Sequence, residues 1–198
     1  VRKVKEVLAS LKKHEHEYGE LLTGNIIFRK RLEGVGILTP ELAVSLGCTG
    51  PVARGSGISC DVRKQAPYDV YDQVEFKEIL FSGGDCMNRY MVRMEEMKES
   101  ISIIEQLIDR IPEGSFRNKP KGMLKLPEGE YYHRVETARG ELGVYIVADG
   151  SAKPWRVKFR TPNFSNLTAL KPLSIGSKVG DLVAIMSTLD LIIPDIDR

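Results

Sequence analysis

Apolar residues recur at helical spacing near the start of the chain. Val4, Val7, Leu8, Leu11, Tyr18 and Leu22 fall on one stripe, with Lys, His and Glu between them, which predicts a half-exposed helix over residues 1–22. Gly24 and Asn25 break it, and a short helix follows over 26–32. Thr39-Pro40-Glu41 reads as a helix start: a capping hydroxyl, a proline suited to the first turn and an acid that favours the helix dipole. That helix stops by Gly47. Residues 50–57 hold three glycines and a proline, which predicts a loop or tight turn presenting Arg54. The strongest periodicity runs from Asp85 through Met87, Tyr90, Met91, Met94, Met97, Ile101, Ile104 and Ile108 to Ile111, before Pro112 and Gly114. It predicts one helix over 85–111, about 40 Å long at 1.5 Å per residue, within a bundle. Its methionine-rich stripe reads as core packing.

After Pro112 the pattern changes. Residues 112–127, with Lys119-Pro120-Lys121-Gly122 in their middle, read as a surface connection. Residues 132–136, 143–148 and 155–159 then read as short strands, with Asp149-Gly150 opening a hairpin turn. A last helix is expected over 180–189, capped near Asp181. The composite is an α+β fold, a long-helix bundle over residues 1–111 with a small antiparallel sheet, C-terminal helix and tail over 112–198 packed upon it.

Composition narrows the chemistry. The 198 residues carry a formal charge of +2 and are 42% hydrophobic, which supports a buried core and argues against a nucleic-acid partner. No apolar run approaches the ~20 residues of a membrane-spanning helix. Cys48, Cys60 and Cys86 are widely spaced and read as incidental thiols. His14 and His16, two residues apart on a helix, point about 200° apart and so form a poor chelating pair. The glycines at 55, 57, 83 and 84 match neither a dinucleotide fingerprint nor a phosphate loop. His133 has no nucleophile marked beside it. Arg89, Arg93 and Glu96, spaced i, i+4, i+7, form a polar stripe on the long helix. From the residues alone, that stripe reads as a solvated face with salt bridges.

Five ordered segments resemble one family. They are Gly50-Pro51 through Arg54, Ser56 and Gly57 to Lys64; Gly84-Asp85 through Arg89 and Arg93 to Ser100; Glu136 through Arg139-Gly140-Glu141 to Gly143; Pro154-Trp155 through Arg160, Pro162 and Asn166 to Leu167; and Asp190 to Arg198. Together they resemble the superfamily of nickel–iron hydrogenase large subunits, and within it the 49-kDa (D-type) subunit of respiratory complex I. Two features depart from the usual pattern: Thr137-Ala138 replaces an apolar residue followed by proline, and Arg139 stands where many members carry lysine. The hydrogenase tail places two nickel-binding cysteines between an aspartate and a terminal histidine or arginine. Here Asp190 and Arg198 keep the ends, while Ile192 and Asp195 stand at the cysteine positions. Isoleucine has no lone pair to donate, and a lone carboxylate is a hard ligand poorly suited to such a centre.

The resemblance implies a subunit that begins mid-protein, the C-terminal part of the quinone-cleft subunit of an NADH-quinone oxidoreductase. It implies that Arg54, Arg139, Asp190, Ile192, Asp195 and Arg198 face the cleft or the partner. It places the family's main headgroup ligands, a histidine and a tyrosine, in an N-terminal half outside these residues. Quinone would bind at the interface with the iron–sulfur small subunit, and NADH and the clusters would belong to partner subunits. Other peripheral-arm subunits and ion-translocating membrane subunits complete the expected complex, on the cytoplasmic side of the plasma membrane. An energy-converting hydrogenase subunit and a non-catalytic assembly scaffold are the alternatives. The chain alone is expected neither to oxidise NADH nor to reduce quinone. Elemental analysis of the purified chain should find no stoichiometric nickel or iron; either metal at one atom per chain would overturn the reading of the tail.

Overall fold

The computed structural model describes residues 1–115, 117 and 125–197. Helix α1 (Arg2–Tyr18) runs antiparallel to the long helix α6 (Cys86–Leu107). Lys5 meets Asp109 at 2.7 Å, Lys12 meets Glu105 at 2.8 Å and Lys98 meets Glu15 at 3.5 Å. Such exposed pairs contribute at most about 1 kcal/mol each. Only Leu8 of α1 is buried, and Val4, Val7, Leu11 and Tyr18 remain exposed. The apolar stripe expected to cover a core is therefore largely uncovered. A π-turn (Gly19–Thr23) closes the helix, with Gly24 N–H donating to Gly19 O at 3.0 Å.

Side-chain caps set the next helices. The Asn25 carboxamide oxygen accepts from Ile27 and Phe28 N–H to open α2 (Ile26–Leu32). The Thr39 hydroxyl accepts from Leu42 N–H, with Pro40 in the first turn, to open α3 (Pro40–Ser45). Residues 50–57, expected as a loop, contain a one-turn helix, α4 (Pro51–Arg54), with all four residues buried. Proline at the first position needs no N–H partner, and the flanking glycines let the turn pack tightly. A second one-turn helix, α5 (Val62–Gln65), starts at Asp61.

Asp85 opens α6 and also holds the preceding loop: one oxygen accepts from Asn88 N–H at 2.8 Å, the other from Gly34 N–H at 2.8 Å. Burial alone would raise its pKa, but these donors outweigh it and hold the carboxyl below its ordinary value. The helix ends a turn earlier than its periodicity suggests. Pro112 disfavours a helical residue 111, Arg110 N–H tightens back onto Leu107 O at 2.9 Å, and Ile111 is exposed. Val92, Met94, Ile101 and Ile103 are buried along α6, whereas Met97 and Ile104 are exposed.

Three antiparallel strands follow in the order β1 (Gly129–Thr137), β2 (Gly140–Ala148), β3 (Arg156–Arg160). Tyr132 pairs with Tyr145, and Tyr145 with Lys158. The first two strands are longer than the alternation suggests, so Ala138-Arg139 becomes a two-residue turn between them. The Lys119–Gly122 stretch lies outside the described residues. Beyond the sheet come α7 (Pro162–Leu167), α8 (Leu170–Ser174), α9 (Val179–Leu189) and α10 (Ile193–Ile196). Helix α9 matches the expected last helix closely, with the Asp181 carboxylate accepting from Lys178 N–H at 3.2 Å. The single turn of α10 lies beyond it. Helices α8 and α9 close the main core, where Ala169, Leu173, Ile185 and Leu189 meet Leu38, Val52 and Met87.

Met94→Asp should lower the apparent Tm in thermal unfolding followed by circular dichroism. Met94 is only 7% exposed, and an unpaired carboxylate there costs about 3 kcal/mol. An unchanged Tm would show that this face of α6 is open to water.

Candidate functional site

Arg54, at the end of α4, is 1% exposed. Its Nε donates to Glu96 Oε1 at 2.6 Å and its Nη1 to Glu136 Oε1 at 2.8 Å. One guanidinium therefore ties the α4 turn to α6 and to β1. Burial alone would lower its pKa, but the two carboxylates outweigh that and hold it above the ordinary arginine value. The second Glu136 oxygen accepts from Val62 N–H at 3.1 Å. Burial pushes the Glu136 carboxyl up, Arg54 pulls it back, and it stays above its ordinary value. Beside this group Arg63 grips Asp61 with two hydrogen bonds, of 2.9 and 2.7 Å.

The β1–β2 turn is seated by close backbone approach. Gly50 adopts φ 67°, and a Cβ there would collide with Arg139 O and reach Gly140 Cα at 2.5 Å. Only glycine fits both the dihedral and the contact. Asn166 clamps the junction, its Oδ1 accepting from Thr49 N–H and its Nδ2 donating to Arg139 O, both at 3.3 Å. Arg160 adds bonds to Glu141 O at 2.7 Å and Gly47 O at 2.8 Å. Arg139 thus stands on a rigid mount.

Asp190 ends α9 in a left-handed conformation, φ 54° and ψ 52°, one that a short polar side chain tolerates better than most. Its carboxylate lies 3.3 Å from Arg139 Nε and 3.8 Å from Arg93 Nε. Arg139 Nη2 donates to it at 3.4 Å. Arg93 Nη1 donates to Arg89 O at 2.8 Å, but Arg93 Nε and Nη2 and Arg139 Nε are buried without a hydrogen-bond acceptor. Burial pushes the Arg93 guanidinium down to about 10, so it stays charged at neutral pH.

These groups form one wall of a pocket of about 770 Å³. Leu11 and Tyr18 of α1 and Met97, Ile101 and Ile104 of α6 supply an apolar wall. The exposed positions of the two helices therefore face the same space.

The structure brings Arg54, Arg93, Glu96, Arg139 and Asp190 together here. It does not gather the other expected residues. The stripe of Arg89, Arg93 and Glu96 is not one solvated surface. Arg89 is fully buried and donates to Gly84 O at 2.6 Å, Gly36 O at 3.0 Å and Thr188 Oγ1 at 3.2 Å. It locks α6 to α9 and two glycine loops. Asp195 Oδ2 accepts from Asn163 N–H at 3.1 Å, which caps α7. Ile192 is half-buried at the start of α10, away from the pocket lining. Arg198 lies outside the described residues. Glu136, Arg63 and His14 also line the pocket, although the sequence pattern does not mark them as site residues. For Glu136 a signal existed, because it sits three positions before Arg139 across a short turn. For His14 none did.

Among the described residues, no group of three or more His, Cys, Asp and Glu is placed to hold a metal ion, and no helix is long and apolar enough to cross a membrane. The arrangement suits a flat apolar molecule with an oxygen acceptor: a greasy wall on one side, guanidinium N–H groups lacking acceptors on the other.

Comparison with known proteins agrees with this layout. The family of the respiratory-chain NADH dehydrogenase 49 Kd subunit matches residues 1–124 and 116–198. The chain belongs to that family. It is 48% identical over 198 residues to the fused C/D-type subunit of the NADH-quinone oxidoreductase of Bacteroides thetaiotaomicron, covering 100% of this chain and 37% of that protein. It is 45% identical over 196 residues to the D-type subunit of the NADH-quinone oxidoreductase of Desulfotalea psychrophila, covering 98% of this chain and 52% of that protein. The chain thus spans about half or less of the length of these relatives. Among solved structures, the membrane-bound sulfane sulfur reductase, an archaeal respiratory membrane complex, contains a chain that superposes with a TM-score of 0.93 at 36% identity, covering 100% of this chain and 55% of that one.

Arg54→Met should destabilise the fold by about 3–5 kcal/mol, because it strands Glu136 in the interior. Glu136→Gln on that background should restore part of the loss. A carboxyl whose folded pKa exceeds its ordinary 4.5 loses stability as pH climbs from that value through the folded one. The loss in Arg54→Met should therefore deepen between about pH 5 and 8. Urea unfolding across that range checks it, and a flat difference would place Glu136 in contact with water.

Proposed function

We propose that this chain is the C-terminal part of the quinone-cleft subunit of an NADH-quinone oxidoreductase, and that the pocket is the wall it contributes to the cleft. The observation that carries this reading is the pairing of an apolar wall with unaccepted guanidinium N–H groups on Arg93 and Arg139. The names of the relatives supply the reaction. The five matched segments also support a common ancestry with nickel–iron hydrogenase large subunits. Ile192 and Asp195, at the cysteine positions, leave a hydrogenase reading without its thiolate ligands.

In this reading a quinone takes up two electrons and two protons. The electrons arrive from an iron–sulfur cluster in the partner subunit. The ring lies against Met97, Ile101 and Ile104, and a ring oxygen accepts from Arg139 or Arg93. As that oxygen gains negative charge, the fixed guanidinium groups stabilise it with little reorganisation. Asp190 balances their charge when no anion is near. Ile192 extends the wall toward the partner. The complex as a whole couples this reaction to ion translocation through membrane subunits, with this chain on the cytoplasmic side. The sulfane sulfur reductase neighbour supports a second reading, in which the same donors hold an anionic sulfur chain.

Arg139→Met in the assembled enzyme should cut kcat/KM for a short-chain quinone about 10- to 100-fold. NADH oxidation by a hydrophilic electron acceptor and the yield of complex should stay unchanged, and Asp190→Asn should shift the quinone KM. Unaltered quinone kinetics in both variants would remove the pocket from the cleft. Sulfane sulfur turnover that falls while quinone turnover holds would favour the second reading.

A further inference from the structure

Strand β3 pairs only with β2, and among the described residues its other side makes no backbone hydrogen bond. Such an edge leaves roughly half of its N–H and C=O groups aimed at open space, a template for another strand. Its two faces are chemically sorted. Arg156, Lys158 and Arg160 share one face with Tyr132 and Tyr145, around a shallow cavity of about 450 Å³. Trp155, Val157 and Phe159 alternate with them toward the other face and are 81%, 42% and 46% exposed.

Charges on an edge strand commonly protect it from aggregation. Two features go beyond protection here. Arg160 is committed to Glu141 O and Gly47 O, but neither Arg156 nor Lys158 forms an ion pair or side-chain hydrogen bond among the described residues. Beside these two cations runs a continuous apolar row, which a purely protective edge would leave out. A second copy of β3 would set cation against cation, so self-pairing is disfavoured. The fitting occupant carries carboxylates at every second position and apolar residues between them, because only then do both faces match in one register.

We infer that β3 is completed in the assembled enzyme by an extended strand of another subunit in which acidic and apolar residues alternate. The added strand gains main-chain hydrogen bonds from the edge and specificity from the alternating side chains. This inference rests on the chain working within a multi-subunit complex, and it is independent of what the pocket binds.

The test compares the native complex with the full-length subunit purified alone. Hydrogen exchange at the amides of residues 156–160 should be about 100-fold slower in the complex for those pointing outward. Carbodiimide treatment should join the Lys158 amine to an Asp or Glu of another subunit, with loss of water, and mass spectrometry would identify that segment. Arg156→Glu, which keeps the amine, should cut the cross-link yield at least about tenfold. Equal exchange in both samples would overturn the inference, as would equal protection in the lone subunit, which would mean its own chain covers the edge. A cross-link to a second copy, or protection that vanishes when lipid is stripped, would overturn it too. If Arg156→Glu prevents folding, the wild-type exchange and cross-link data still decide.

Discussion

Arg54 holds a carboxylate from each of two elements distant in sequence, Glu96 on α6 and Glu136 on β1. A buried guanidinium is tolerated only when its charge and donors are matched. That requirement binds the one-turn helix α4, the long helix and the sheet into one arrangement. Glu136 lies just before the Ala138-Arg139 turn, so the same contact sets where Arg139 stands. The Gly50–Gly140 approach and the Asn166 clamp then remove the remaining freedom of that turn. The pocket follows from this junction, because its charged wall is made of groups held from three directions.

The charges of that wall balance but are polarised. Arg54, Arg93 and Arg139 match Glu96, Glu136 and Asp190 in number. Two carboxylates sit on Arg54, however, while two guanidinium groups share Asp190. The end near Asp190 is therefore the electropositive one, and it is also the end where N–H groups lack acceptors. In a site partly shielded from water such a gradient orients a ligand with its oxygen toward Arg93 and Arg139. Opposite lies apolar surface from α1, a helix held mainly by weak surface ion pairs.

Much of the layout was legible in the chain because it rests on local chemistry. Asn25, Thr39 and Asp85 cap helices that start where their hydrogen-bonding side chains appear, and Asp149-Gly150 marks a turn by its dihedral preference. Local patterns mislead where long-range packing decides. Residues 50–57 look like a loop by glycine content, yet burial and Pro51 make four of them helical. Arg89 looks like part of a solvent stripe by helical spacing, yet Gly36, Gly84 and Thr188 enclose it. The apolar period of α6 continues past the point where Pro112 forbids the helix, so spacing alone sets its end a turn too late.

By itself, the sequence determined the order and kind of the main elements, the family resemblance through its ordered motifs, and the replacement of two thiolate positions by Ile192 and Asp195. These depend on residue type and spacing, which a linear chain displays. The tertiary structure alone decided which charges meet. Arg54 could have faced water, and only the approach of α6 and β1 joins it to Glu96 and Glu136. Asp190 reaches Arg93 and Arg139 because α9 ends beside the β1–β2 turn, whereas Asp195, five residues on, is drawn away to cap α7. Ion pairs between residues about 40 to 100 positions apart leave no periodic trace, because their energy depends on a distance that exists only after the backbone has folded.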